Sequence, residues 1–175
     1  IDFFLKNLKI KFRLNKHEEI FILHNHKDIN KEYLSWFNGK NENLKFSRHY
    51  RKRYKRSELI DGLNNFNRSI NLFLGIFDIE TKKLIGTITL YIDEGTNSGN
   101  IGIFIGNRKY FSKGFAMEGS RLVINYLLKN KIVRSIVAGT ANENLKMINL
   151  MKNLKMKKIR RKNSQNTNYI INKLI

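Results

Sequence analysis

Residues 110–119 read Tyr-Phe-Ser-Lys-Gly-Phe-Ala-Met-Glu-Gly, between the β-rich run GNIGIFIGN and the amphipathic run MEGSRLVINYLL. The first turn of a helix leaves backbone N–H groups unpaired and carries the positive end of the helix dipole, so a strand-to-helix turn of this composition can hold an anion. Gly114 permits close approach or positive φ, Ala116 keeps the first turn thin, and Lys113 adds a formal charge. A second chemical cluster lies at residues 45–56, KFSRHYRKRYKR, where Arg48 and Arg51 alternate with Phe46, Tyr50 and Tyr54. Aromatic rings can stack on a base while arginine binds phosphate in bidentate fashion. The same run also reads as a solvated basic loop.

The elements that must position these residues follow from hydrophobic period. LKIKFR (8–13) and EIFIL (19–23) alternate across a turn at NKH, as a hairpin does. INKEYLSWFN (29–38) sets Ile29, Tyr33, Leu34 and Phe37 at helical spacing, with Gly39 as a stop. Ser57 can cap a second helix with Leu59, Ile60, Leu63 and Phe66 on one face. Strands are then expected at about 71–78, 84–92 and 101–106, with EGTNSGN as loop. A helix over about 115–129 keeps Leu122, Val123, Tyr126 and Leu127 on one side. VRSIVAGT reads as a strand, NLKMINLMKNL as a helix, and the tail as a last pair of strands. The order ββααβββαβαββ predicts an α/β (α+β) domain with a mixed, mostly antiparallel central sheet and helices on both faces.

The 175 residues suit one domain with one substantial core, and 41% hydrophobic residues with 11% aromatics argue against disorder. With no cysteine there is neither a disulfide frame nor a thiolate nucleophile or ligand. Of the histidines at 17, 24, 26 and 49, His24 and His26 alternate at a strand, but no third ligand is evident and no metal is expected. No apolar run reaches the length of a membrane span, and a cytoplasmic location is expected. The charge is the unusual quantity: 34 basic against 14 acidic residues, net +20. It favours polyanionic partners. The absence of proline and the abundance of lysine, asparagine and isoleucine offer compositional drift as an equal account.

Three stretches in this order resemble the GCN5-related N-acetyltransferase superfamily, in its branch of ribosomal-protein N-terminal and amino-sugar acetyltransferases. IGIFIGNRKYFSKGFAMEGSRLVINYLL is similar to the branch's "IG … YWGKGYATEA" segment, LIGTITLYID to its preceding strand, and NENLKMINLMKNLKM to its "N-x-x-S … EKLGF" helix. INKEYLSWFN also resembles the "YLxWLND" element of sugar-modifying members. The resemblance implies acetyl-CoA as cosubstrate. Its pyrophosphate would rest on backbone amides of Ser112, Lys113, Gly114, Phe115, Ala116 and Met117. Its pantetheine arm would pair with the strand edge near Ile103, Phe104 and Ile105, and Asn144 or its neighbour Asn142 would reach the arm. Either asparagine could equally cap the following helix. One strand N–H would hold the oxyanion. The acetyl-CoA core would span about 71–162, and the acceptor side about 1–70, within a single 1–175 domain.

The sequence departs from that pattern at several positions. Phe111 replaces the usual polar residue, Met147 stands where serine is common, and Lys155 replaces the glycine of "KLGF". Met151 lies where many members carry the tyrosine that protonates the thiolate, which leaves the general acid unassigned. Ser112 is a candidate donor to the thiolate. An ammonium acceptor must lose a proton, and Asp93, Glu94 and His49 are the candidate bases. For the acceptor, Arg48, Tyr50, Arg51 and Trp36 point to a small-molecule amine carried on a nucleotide, an amino sugar above all. A protein N-terminal acetyltransferase of the ribosomal-protein type is the alternative, and a basic nucleic-acid-binding module without catalysis is the alternative from another class. A homodimer is compatible with any of these.

Overall fold

A computed structural model describes residues 9–14, 18–24, 29–47, 52–67, 69–78, 81–160 and 165–175. Among these residues eight strands form one sheet in the order β1-β2-β3-β4-β5-β6-β8-β7. They are β1 Lys9–Leu14, β2 Glu18–His24, β3 Leu72–Asp78, β4 Leu84–Asp93, β5 Ser98–Ile105, β6 Ser135–Thr140, β7 Lys157–Ile159 and β8 Thr167–Ile171. Among the described residues four α-helices interrupt them: α1 Ile29–Asn38, α2 Arg56–Asn67, α3 Phe115–Lys129 and α4 Leu145–Asn153. All pairings are antiparallel except β5 with β6. The expected order of elements is the observed one. Strand β5 begins at Ser98, inside the run expected to be loop, because Asp93 and Ser98 pair across a four-residue turn.

Alternation along the central strands divides the apolar residues between two faces. Leu72, Leu74 and Ile76 of β3 and Ile88 and Leu90 of β4 join Phe115, Val123, Ile124 and Leu127 of α3 and Met151 of α4 in the larger core. Phe73 and Phe77 of β3 and Phe104 of β5 turn to the opposite face. There Trp36 and Phe37 of α1 and Leu44 complete an aromatic core, with Tyr33 and Tyr54 against it. Trp36 stands edge-on to Phe104, with ring centroids 5.7 Å apart. Gly106 makes this contact possible, since a Cβ there would lie 1.9 Å from the Trp36 ring.

The caps explain two differences from expectation. Ser57 does not cap α2: the helix starts at Arg56, two residues earlier than such a cap would set it, and the Glu58 carboxylate accepts from the Lys55 N–H at 2.8 Å. That is the reciprocal half of a capping box, with Lys55 at the cap. At the end of α4, Lys155 N–H bonds Lys152 O at 2.9 Å and Met156 N–H bonds Met151 O at 3.1 Å. These two bonds define a Schellman turn, and its left-handed position is Lys155, with φ 57°. A β-carbon strains that conformation, which glycine adopts freely. We therefore expect Lys155→Gly to raise the unfolding free energy in urea titration by about 0.5–1 kcal/mol, net of the extra chain entropy of glycine. A loss of stability would contradict this account of the turn.

Candidate functional site

The parallel pair β5–β6 is in register only at Ser98/Ser135, Gly99/Ile136 and Asn100/Val137. Beyond these residues the strands part. The Gly106 N–H donates to Ile85 O, its direct partner on β4, at 3.0 Å. Alternation from that bond turns the backbone groups of Gly102 and Phe104 toward β4, and those of Ile101, Ile103 and Ile105 toward the gap. The parallel pair Asn100/Val137 engages the Ile101 N–H with the Val137 carbonyl, and the Ile105 carbonyl is taken by Asn43 Nδ2 at 3.0 Å, which leaves the gap-facing edge at the Ile101 carbonyl and at Ile103. Such an edge can pair with an extended chain carrying amides.

Two cavities meet in this gap. One, about 520 Å³, runs from Ile103 and Ile105 past Ser112, Gly114, Ala116 and Met117 to the Lys146 and Asn149 side of α4. Helix α3 opens on this cavity without a side-chain cap: Gly114, at φ 87°, is its N-cap, and Ser112 is also left-handed at φ 57°. The Glu118 N–H is the first to bond within the helix, to Gly114 O at 3.1 Å. The N–H groups of Phe115, Ala116 and Met117 are therefore the orphan donors of the first turn, and they suit an anion.

The other cavity, about 540 Å³, has Thr87, Thr89 and Tyr91 of β4 as its floor, with walls from α1, α2 and the 43–47 segment. Phe46 is 44% exposed and Tyr91 50% exposed, the large apolar side chains of this wall that face solvent. Lys45 Nζ stands 5.8 Å from the Phe46 ring centroid and Lys52 Nζ 4.5 Å from that of Tyr54. Asn43, Ile103, Phe104, Asn144 and Met147 line both cavities and mark their junction.

The residues expected to form the donor side fall into place unequally. Ser112, Gly114, Phe115, Ala116 and Met117 surround the first cavity with Ile103 and Ile105, whereas Lys113 is exposed beside it. Phe104 reaches the cavities through its side chain, because its backbone groups are spent on β4. Asn144 sits at the junction but acts as a cap: its Oδ1 accepts from Met147 N at 3.3 Å and its Nδ2 donates to Thr140 Oγ1 at 2.9 Å. Asn142 lies off both cavities and binds Thr167 Oγ1 and Gln165 O.

Two of the candidate bases, Asp93 and Glu94, lie away from both cavities. Asp93 and Glu94 occur at the closed end of the β5–β6 wedge, and Asp93 is bound to Gly95 N at 3.0 Å and Thr96 Oγ1 at 2.8 Å. Trp36 belongs to the aromatic core behind Phe104 and is no part of either cavity wall. Arg48, His49, Tyr50 and Arg51 lie outside the described residues. Sequence reasoning missed Asn41 and Asn43. Buried Asn41 donates to Gly106 O at 2.7 Å and, with Asn43, fastens residues 41–44 across the end of β5.

Among the described residues, the titratable groups on the acceptor wall are poor bases. Burial pushes the Tyr33 phenol far above its ordinary range, against the opposing effect of its hydrogen bond with Thr87. The Lys55 N–H, then Lys52, hold the Glu58 carboxylate below its usual range. The cavity walls carry one described basic residue, Lys146, and one acid, Glu58, so the large positive charge is not gathered there. Among the described residues no three His, Asp or Glu side chains come together as metal ligands, and no helix is long and apolar enough to cross a membrane.

A sheet wedged open between two parallel strands, with an anion-ready helix end at one mouth and a second pocket at the other, defines a domain for transfer between two substrates. The chain belongs to the GNAT acetyltransferase family: the model of the acetyltransferase (GNAT) domain matches residues 11–157. It is an acetyltransferase, of a family that uses acetyl-CoA. Solved structures share its fold. RimL, a ribosomal L7/L12 α-N-protein acetyltransferase in complex with coenzyme A, superposes with a TM-score of 0.77 at 8% identity, covering 93% of this chain and 97% of its own. The microcin C7 self-immunity acetyltransferase MccE, in complex with acetyl-CoA and AMP, gives 0.73 at 16%, with 89% and 92% covered. FdhC, a nucleotide-linked sugar GNAT, gives 0.70 at 20%, with 93% and 91% covered. At these identities the likeness is one of fold. No protein among curated sequences matches the chain.

The capping geometry of Asn144 is testable. Asn144→Ala should lower stability by about 1 kcal/mol in denaturant titration, while Asn144→Ser, which can still cap, should recover most of that loss. Equal losses in both variants would rule out capping as its structural role.

Proposed function

We propose that this enzyme transfers the acetyl group of acetyl-CoA to the primary amine of a nucleotide-linked amino sugar. The observation that carries the acceptor half is the pair of exposed rings, Phe46 and Tyr91, on a cavity of about 540 Å³ with lysine ammonium groups beside its aromatic wall. Exposed rings are suited to stacking on a flat base, and the cations to its phosphates. Fold similarity to a nucleotide-linked sugar GNAT supports the same reading. The N-terminal part, to about residue 70, is the acceptor side, and a cytoplasmic location agrees with the supply of acetyl-CoA.

On the donor side, the N–H groups of Phe115, Ala116 and Met117, with the left-handed turn at Ser112–Gly114, hold the diphosphate. Lys113 adds charge from the rim. The carbonyls of Ile101 and Ile103 pair with the pantetheine amides, and the Ile103 N–H is placed to receive the developing oxyanion. The cosubstrate supplies an activated thioester. The chain supplies alignment, and the amine enters neutral after losing its proton to water, since neither Tyr33 nor Glu58 is suited to take it.

Acetyl-CoA should raise the melting temperature of the wild-type protein, and Gly114→Val, which forbids φ 87°, should remove most of that shift. With UDP-linked amino sugars as acceptors, Phe46→Ala and Tyr91→Ala should each raise KM about 10-fold with kcat little changed, the effect of one lost stacking partner. Turnover of peptide N-termini but not of such sugars would shift the acceptor to protein. Salt-steep RNA binding without any acetyl-CoA shift would overturn the enzymatic reading.

A further inference from the structure

Asn43 stands where the two cavities join, with Ile103, Phe104, Asn144 and Met147. Two hydrogen bonds fix its orientation. Its backbone N–H donates to Asn41 Oδ1 at 3.1 Å, and its Nδ2 donates to Ile105 O at 3.0 Å. Asn41 is 3% exposed and is itself tied to Gly106 O at 2.7 Å. Only the NH2 of an asparagine can face a carbonyl oxygen, so the bond to Ile105 determines which way round the amide lies. The amide atom left over on this residue that lines both cavities is Oδ1, an acceptor, and among the described residues no donor reaches it.

An acceptor held rigidly between the donor and acceptor cavities suits one partner, a nitrogen that carries hydrogens and must present its lone pair to a carbonyl carbon. Resting on the proposed acetyl transfer, we infer that Asn43 Oδ1 accepts a hydrogen bond from the attacking amine and thereby aims its lone pair at the thioester. The other polar side chain at the junction cannot serve, because Asn144 spends Oδ1 on Met147 N and Nδ2 on Thr140. In the transfer, the amine nitrogen forms the new bond to the acetyl carbon, and the carbon–sulfur bond gives its electron pair to sulfur. The proton lost by nitrogen passes to water. Asn43 takes no proton. It directs the nucleophile, and its carbonyl dipole favours the positive charge that nitrogen gains on attack.

The test needs no knowledge of the natural acceptor. S-(2-aminoethyl)-CoA places a tethered amine near the position of the attacking nitrogen, and S-propyl-CoA is its isostere without N–H groups. By calorimetry at low salt, the wild-type chain should bind the aminoethyl probe about 10-fold more tightly than the propyl one, the effect of one charge-assisted hydrogen bond. Asn43→Ala should abolish that preference while S-propyl-CoA affinity stays within about 3-fold of wild type. Asn43→Asp also loses the bond to Ile105 O, yet it should match or exceed the wild-type preference, because a carboxylate still accepts. A merely structural role would move both variants in the same direction. Equal binding of the two probes by the wild-type chain, or a preference that survives in Asn43→Ala, overturns the inference alone. Failure of both probes and of acetyl-CoA to bind the wild-type chain overturns the donor-site reading, and the inference falls with it.

Discussion

The site depends on the early end of one strand pairing. Strands β5 and β6 stay together for three residue pairs and then separate, so the Ile101 carbonyl and the backbone groups of Ile103 face a gap instead of a neighbour. Buried backbone polar groups without partners are costly, and a fold keeps such an edge open only where another molecule or water can satisfy it. The long antiparallel pairing of β4 with β5 keeps the opening from collapsing, because eight successive residue pairs hold β5 from its other side. Helices α3 and α4 complete the donor mouth, with α3 starting at Phe115 after the 3-10 turn Arg108–Tyr110 that follows β5.

The acceptor side is attached to this edge by side chains. Helix α1 rests Trp36 over Gly106, and Asn41 and Asn43 donate to the last two carbonyls of the β5 run. Two amide bonds in a half-buried setting orient the segment more firmly than the exposed Arg108–Glu42 ion pair at 3.2 Å, which solvent screens. The aromatic core beneath, with Tyr33 4.5 Å from Phe37 and 5.1 Å from Phe73 between ring centroids, makes α1 and the sheet one packed body. The junction of the two cavities thus brings Asn43 to Ile103 and Phe104, about sixty positions later in the chain, and to Asn144 and Met147, about a hundred later.

That separation explains what the sequence could and could not reveal. The order of elements was readable because the period changes cleanly at residue 71, and because the run 110–119 combines turn chemistry with a helix start. The left-handed turn at Gly114 follows from its lack of a β-carbon. Lys155 already stood out as a lysine where similar sequences carry glycine, and its left-handed φ of 57° supplies the physical reason. Asn41 and Asn43 look like two more asparagines in a polar run, since their partners are 65 and 62 residues away. Asp93 and Glu94 follow a central strand, as a catalytic carboxylate could, but strand direction puts them at the closed end of the wedge. Ile101 was hidden for a related reason: a β pattern shows where a strand lies and not where its neighbour leaves it.

The larger consequence concerns proton transfer. Met151 is fully buried in the main core, so the position that resembles the acid-bearing one of other members contributes packing and no hydroxyl. The hydroxyls on the donor cavity belong to Tyr110, already bonded to Asp78 at 2.7 Å, and Ser112, on the exposed turn. A thiol titrates near pH 8.5, roughly two units below an alkyl ammonium, so a thiolate can depart unprotonated while the amine is the group that must be made neutral. The demanding step is then bringing a neutral amine to the carbonyl at the right angle, which is an orientational problem. A rigid junction of backbone edge and anchored amide answers that problem without a tuned acid or base, and alignment of reactants alone can supply several kcal/mol of the barrier reduction.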